Sequence, residues 1–377
     1  MMTGERFFIG LHAGGLDSVD AVLVAVRGCG EKMEPRQLQC LHVPLGAAIR
    51  TRAELLPADF DACLSDLSEL DDQVASAMGA AADSLLAQAG AAKKDISAVG
   101  VLGLRIASGL ELGLPAGVAR RLKLPVVGRF DIADRAAGGN GGAVTAWPAW
   151  RMLRDKRLSR TLVHLGEIAS VTFVGSGAAE CEVVAYDLGP GTILLDELAR
   201  RALHPQRRRP RPCAGRGSGV VSRGKANQAL LNELLAQTYF HRPPPKITWR
   251  GFWTGEYLNR LEFVAEKHDC RGADLLATAV ELTVRLVAGA VGKFTERPHE
   301  VVLCGGGAED ARLFKRIRSI MSPCSTYLAD RYGLGVRVAP AVFAAILAAA
   351  KLDGFPAHIP SASGAARRLV LGNLATP

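Results

Sequence analysis

Short β-branched stretches that run straight into glycine-rich turns recur along this 377-residue chain, with Ala/Leu-rich helical stretches between them. That alternation constrains the fold to the α/β class, because period-2 strands and period-3.6 helices must bury their apolar sides against one another. Residues 21–26 and 99–104 read as buried strands, and 66–89 carries apolar residues at helical spacing. Residues 161–165, 170–174 and 182–186 follow one another so closely that they predict an antiparallel meander. Helices are predicted over 192–203, 228–239, 274–294 and 340–352, with a strand at 300–303 between the last two. A 49% hydrophobic content at this length supports a substantial core in two or three domains.

The formal charge of +9 is a local feature. Seven basic residues (Arg207, Arg208, Arg209, Arg211, Arg216, Arg223 and Lys225) fall in one acid-free Arg/Pro/Gly loop, 204–225, which leaves +2 for the rest of the chain. Like charges beside Pro and Gly predict a mobile loop able to lend arginines to an anionic ligand. Without a recognised module or interleaved aromatics, the loop argues against nucleic acid as a partner. Apolar stretches such as 338–350 fall short of the ~18–20 residues of a membrane span, and the N-terminus lacks the tripartite order of a signal peptide. The expectation is a cytoplasmic protein with no membrane partner. Eight scattered cysteines without a Cys-x-x-Cys pair speak against structural zinc and a disulfide framework, and most read as small buried side chains.

Two glycine motifs in the basic loop are set aside. The stretch 219–226 nearly spells a Gly-x-x-x-x-Gly-Lys-Ser/Thr phosphate loop, but ends on Ala226 and follows no strand. Gly215 to Gly219 lacks the strand and downstream spacing of a dinucleotide fingerprint.

Four turns have better context. Gly14-Gly15-Leu16-Asp17-Ser18-Val19-Asp20 lies between strand candidates; it could bring amides to a phosphate, with Asp17 or Asp20 near magnesium, or be a plain Gly-Gly hairpin. Gly138-Gly139-Asn140-Gly141-Gly142, preceded by Asp131 and Asp134, would let a ligand approach the backbone, or would serve as a hinge. Asp187, followed by Gly189-Pro190-Gly191, sits between a strand and a helix, where it could be a general base or a helix cap. Cys304-Gly305-Gly306-Gly307 ends a buried strand, and could accept a nucleotide or be an ordinary strand-to-helix turn.

Taken together, these turns resemble the anhydro-N-acetylmuramic acid kinases, sugar kinases of the actin-like ATPase superfamily. The matching pieces span nearly the whole chain and include Leu16-Asp17 with Val19-Asp20, Asp134 with Gly138-Gly139, and Tyr186-Asp187 with Gly189-Pro190-Gly191. They continue with Tyr239-Phe240 before Pro244-Pro245-Lys246, Thr278 with Glu281-Leu282-Thr283, and Gly305-Gly306-Gly307. The resemblance implies a two-lobed actin-like fold, each lobe a mixed sheet covered by helices in a duplicated ribonuclease H-like pattern. Residues 1–135 plus about 355–377 would form the N-terminal lobe and 136–354 the C-terminal lobe. It also implies a peptidoglycan-recycling reaction: water opens the 1,6-anhydro ring of an amino sugar while the ATP γ-phosphate moves to its 6-oxygen. Asp187 would be the base. Gly14, Gly15, Asp17, Ser18, Asp20, Gly166, Gly305, Gly306 and Gly307 would bind ATP, with Asp17 at Mg2+. Asp134, Gly138, Gly139, Asn140, Gly189 and Gly191 would bind the sugar. A homodimer is a further expectation from the resemblance.

The chain departs from the family pattern at several points. Ala13-Gly14-Gly15 replaces Gly-Thr-Ser and removes both phosphate-side hydroxyls. Arg105 and its neighbours replace a Cys-His-Gly-Gln-Thr segment, Arg129 and Asp131 invert the family's Asp and Arg, and Arg337 to Ala341 replaces an acidic run. Within the family's Asn-Ile-Gly-Gly-Ile-Ala-Asn, His164 replaces the first Asn and Glu167 the second Gly; an acid there repels ATP unless magnesium or an arginine neutralises it. The alternative to an active kinase is therefore a degenerate paralogue that binds ligand or protein without turnover.

Overall fold

The computed structural model describes residues 4–55, 63–107, 110–203, 224–294 and 297–377. The Arg-rich stretch, apart from Gly224 and Lys225, lies outside the described residues. In chain order the first half comprises β1 Arg6–His12, β2 Ser18–Arg27, β3 Glu34–Pro44, α1 Ala47–Leu55, α2 Cys63–Ala89, β4 Ile96–Leu102, β5 Leu104–Ala107, β6 Leu110–Leu112, α3 Pro115–Leu122, β7 Val126–Gly128, α4 Asp131–Ala136 and α5 Ala146–Leu153. The second half comprises β8 Arg160–Leu165, β9 Ile168–Val174, β10 Val184–Pro190, α6 Ile193–Leu203, α7 Gln228–Leu235, α8 Thr238–His241, α9 Glu256–Lys267, α10 Gly272–Val291, β11 Glu300–Cys304, α11 Ala311–Met321, β12 Ser325–Leu328, α12 Ala339–Leu352, α13 Pro360–Ser363 and β13 Asn373–Ala375.

Two sheets carry one topology. In the first, β3-β2-β1 is an antiparallel meander continued by parallel β4 and β7. In the second, β10-β9-β8 is an antiparallel meander continued by parallel β11 and β12. The repeat of order and sense is the duplicated architecture expected, and it places the β1–β2 and β8–β9 turns in equivalent positions. The first sheet gains one extra strand, β13, antiparallel on β7.

Side chains on β1 and β2 alternate between two cores, as period 2 requires. Ile9, Leu11, Ala21 and Leu23 pack with Leu70, Val74 and Met78 of α2, on the outer face. Phe8, Val22 and Val24 share the other core with α5, α12, and Leu162 and Val302 of the second sheet. Helix α12 thus lies within the layer between the sheets, and its sequence is apolar nearly all round, as a helix covered on every side must be. It falls inside residues 136–354, yet its main contacts are with β1, β2 and β4. We propose that the return to the first lobe begins at α12.

Three expectations are refined. The helix expected over 228–239 breaks after Leu235, and Gln237 turns extended before α8. Tertiary contacts override helical continuity there, since Tyr239 and Phe240 are drawn onto β10 and Trp253. The strand expected to stop at 186 runs on to Pro190 through a register shift between Asp187 and Gly189. Among the six described cysteines for which burial is known, only Cys270 and Cys304 are buried, whereas Cys29, Cys40 and Cys181 are exposed, because they sit at turns and on an edge strand.

The tightest packing in the fold is backbone on backbone. A Cβ on Gly10 of β1 would lie 1.8 Å from the Ala341 carbonyl oxygen, and one on Gly100 of β4 would lie 2.0 Å from that of Ala344. Gly10→Val should therefore lower the unfolding free energy by ~3 kcal/mol or more, at the upper end of overpacking costs. Gly289→Ala, at an exposed position of α10 where a Cβ meets nothing within 4 Å, should raise it by ~0.5–1 kcal/mol. Urea midpoints of the two variants check both signs.

Candidate active site

Two adjoining cavities lie where the equivalent turns face each other. The larger, about 450 Å³, is lined by Gly14, Gly15, Asp17, Ser18 and Asp20 from the first lobe and by Gly166, Gly305, Gly306 and Gly307 from the second. All nine residues expected to bind ATP are brought together there. The glycines are needed for close approach. A Cβ on Gly15 would lie 3.0 Å from the Glu167 carboxylate carbon, and Gly305, at φ +88°, packs against the Leu165 carbonyl. Asp310 caps α11 by accepting from the Arg312 and Leu313 amides, which orients this rim.

The charges of this cavity answer the question raised by Glu167. Arg250 Nη1 donates to Glu167 Oε1, and its Nη2 donates to Glu197 Oε1 at 3.0 Å; Arg200 donates to the other oxygen of Glu197, so two guanidinium groups balance the two acids. The Leu16 amide also donates to Glu167, at 3.4 Å, joining the two lobes. Asp196, unremarked in the sequence, lines the same wall. Burial first, then the nearby charges of Asp17 and Glu167, push its carboxyl up to about 7. Asp20 is committed elsewhere: His42 Nδ1 lies 2.6 Å from its Oδ1, and the His12 and His42 imidazoles outweigh burial to keep it below the usual carboxylate range. Where the family's acidic run was lost, Arg337 lines the cavity, paired with Glu309 at 3.0 Å.

The smaller cavity, about 210 Å³, contains Asp187 together with Arg105, Glu111, Thr248 and Trp249. Asp187 does not cap α6. Its Oδ2 accepts from the Thr248 amide at 3.0 Å, and its own amide donates to the Lys246 carbonyl at 3.1 Å. The Tyr239 hydroxyl donates to its carbonyl oxygen at 3.0 Å. Burial pushes the carboxyl up to about 6 against the opposing pull of Thr248, Arg105 and Lys246. The Tyr239-Phe240 and Pro244-Pro245-Lys246 pieces of the family pattern therefore build the bed under this aspartate. Thr283 of α10 adds a hydroxyl that reaches the Gly191 carbonyl at 3.2 Å.

The residues expected to bind sugar are the ones the structure redistributes. Asp134 is fully buried: its Oδ2 accepts from the Gly141 amide at 2.8 Å, and its Oδ1 meets Ser363 Oγ and His358 Nε2. Gly139 packs on that carboxylate, Asn140 turns its side-chain oxygen to the Gly142 amide, and Gly138 contacts neither cavity. This group ties the 138–142 loop to α13, and only the loop's continuation at Ala143 to Thr145 reaches the cavity. Gly189 and Gly191 likewise do not line the cavity; a Cβ on them would strike Phe240 and the Gly166 carbonyl. Arg105 and Glu111, on the β5–β6 hairpin, supply polar groups instead.

A family model described as anhydro-N-acetylmuramic acid kinase matches residues 6–377. The chain belongs to that family. It is 32% identical to the anhydro-N-acetylmuramic acid kinase of Gloeobacter violaceus over 378 residues, covering 97% of each chain. It is 30% identical to that of Salinibacter ruber over 392 residues, covering 99% of this chain and 97% of the relative. Among solved structures it is similar to a ROK family glucokinase from Streptomyces griseus at 15% identity and a TM-score of 0.40, covering 90% of this chain and 98% of that one. So loose a superposition carries no further argument.

Removing one partner of a buried ion pair costs ~3–5 kcal/mol because the other charge is stranded. Arg250→Met should therefore weaken ATP binding at least tenfold, since Glu167, which lines the cavity, would face the phosphates unbalanced. Restoring the family's glycine in Glu167→Gly/Arg250→Met should recover part of it. Calorimetric ATP titrations of the single and double variants read the coupling.

Proposed function

We propose that this cleft carries out ATP-dependent hydrolytic opening and 6-phosphorylation of a 1,6-anhydro amino sugar, anhydro-N-acetylmuramic acid. The observation that carries the reading is Asp187: a carboxyl rigidly held on a bulged strand, facing a cavity that adjoins the glycine-lined nucleotide cavity. Its raised pKa, near 6, suits a group that must take a proton from water near neutral pH. In the reaction the water oxygen bonds to C1 and its proton goes to Asp187. The C1–O6 bond breaks, and O6 takes the γ-phosphoryl as the bond to ADP breaks.

The sugar is to lie in the cavity of Arg105, Glu111, Thr248 and Trp249, where the indole can cover an apolar sugar face and the charged groups can bind its carboxylate and hydroxyls. ATP is to lie on the Gly14–Gly15 and Gly305–Gly307 turns, whose amides suit phosphate. Among the described residues no three acids or histidines cluster tightly enough to hold a metal by themselves. That fits magnesium, which ordinarily uses one or two carboxylates and completes its shell with phosphate oxygens and water. Asp17 and Asp196 would hold it, and bound there it would neutralise phosphate charge during transfer. Arg250 answers the objection that Glu167 repels ATP, and so supports an active enzyme over a silent paralogue.

The test is turnover of anhydro-N-acetylmuramic acid with magnesium ATP, reading ADP and the 6-phosphorylated sugar. Asp187→Asn should lower kcat by at least 10³-fold while leaving ATP affinity unchanged. In the unsubstituted protein kcat/KM should rise with pH through about 6, as the base loses its proton. A wild-type protein with neither turnover nor an ATP-induced thermal shift would overturn the kinase reading; equal turnover in Asp187→Asn would remove that residue from it.

A further inference from the structure

Two histidines stand on the wall that the two cavities share. His12 ends β1 and His164 is the penultimate residue of β8, and each lines both the nucleotide cavity and the sugar cavity. Their rings meet edge to face, with centroids 6.4 Å apart and planes at 72°. The fold makes room for both. A Cβ on Gly14 would fall 2.0 Å from His12 Cε1, and one on Gly166 would fall 2.6 Å from His164 Cε1. The two conspicuous turn glycines therefore serve imidazoles as well as phosphates.

These rings have hydrogen-bonding capacity to spare. His12 Nδ1 is buried with no hydrogen-bond partner, and Asp20 Oδ2 lies 3.8 Å away. His164 makes no side-chain hydrogen bond among the described residues, although its ring faces cavities on both sides. An imidazole at a cavity wall that makes no hydrogen bond has donor capacity for a ligand. Meanwhile the turn that carries His12 has Gly14 and Gly15 where the family pattern has hydroxyls, so two side-chain donors to phosphate are missing.

We propose that His12 and His164 bind the phosphoryl group in transit between ATP and the sugar, each donating a ring N–H to its oxygens where the two cavities meet. The proposal rests on the kinase reading above and adds contacts to it. No proton passes through either ring: the phosphorus–oxygen bond to ADP breaks, that to O6 forms, and the imidazoles stabilise the charge spread over the remaining oxygens. The groups facing them differ. The Asp20 carboxylate, itself held by His42, lies beside His12, with Oδ2 3.8 Å from its Nδ1. His164, pushed down to about 4 by burial and then by His12, remains a neutral donor. Glu167 also lines both cavities, but its charge is engaged by Arg250.

The experiment compares His12→Leu, His164→Ala and His164→Asn with the unsubstituted protein in two assays. In steady-state turnover, His12→Leu and His164→Ala should each lower kcat about 10²–10³-fold, as loss of one transition-state donor does, with KM for ATP within threefold. His164→Asn retains an N–H donor and should stay within tenfold. In the second assay, magnesium ADP is titrated with and without aluminium fluoride, which stands in for the phosphoryl group in flight. Each apolar variant should bind ADP normally, which also shows that it is folded, but lose the tightening that fluoride brings. Unchanged kcat, or undiminished fluoride tightening in both apolar variants, overturns the proposal. Because the fluoride titration needs no sugar, it tests the histidines even if the wild type fails on anhydro-N-acetylmuramic acid, an outcome that counts against the substrate assignment alone.

Discussion

The contact on which the rest of the molecule depends is the direct seating of α12 on the first sheet at Gly10 and Gly100. Backbone against backbone leaves no side chain to adjust, so the helix fixes the position of β1 along and across the sheet. His12 and the Gly14–Gly15 turn are the continuation of that strand, and their placement against the opposite lobe inherits its rigidity. The same helix shares a core with Leu162 and Val302, so the layer that positions one turn also touches the sheet that positions the other. A site assembled from two lobes needs such a common reference.

Much of this was legible in the sequence because the signals are local. Alternating β-branched strands ending in glycines are read from a few residues at a time, and the meander over β8, β9 and β10 followed from spacing alone. The nine residues expected on the nucleotide side were named through resemblance, Asp187 through its turn as well, and the structure brings the nine to one cavity. What escaped was what depends on distant pairing. Nothing near Glu167 announces that Arg250, far along the chain, neutralises it. Asp196 is an ordinary first-turn acid of a helix until Asp17 is brought opposite. Asp134 was expected to bind sugar from the same resemblance; its partners, His358 and Ser363, come from more than 200 residues later and tie it to α13.

Electrostatically, the cleft trades hydroxyls for imidazoles and ion pairs. Hydroxyl donors lost near Gly15 are offset by imidazoles at 12 and 164, a glycine lost at 167 by a salt bridge to Arg250, and a lost acidic run by Arg337 paired with Glu309. Three of these replacements bring a counter-group: Asp20 beside His12, Arg250 for Glu167 and Glu309 for Arg337. Charges arranged in this way act at short range and in fixed directions, which suits a step in which charge is redistributed over only a few ångströms.

The extra strand β13 and helix α12 have a consequence for how the protein is made. The first lobe opens the chain, yet its sheet has an uncovered edge at β7 and an uncovered face over β1 and β4 until residues 339–375 have emerged. The second sheet, whose five strands all lie between 160 and 328, can be complete before that. Vectorial synthesis therefore finishes the later-encoded sheet first and leaves the earlier one waiting as an open template. The charged and proline-bearing edge strand β3 protects its far side during that interval; β7, short and wholly apolar, depends on the arrival of its last partner.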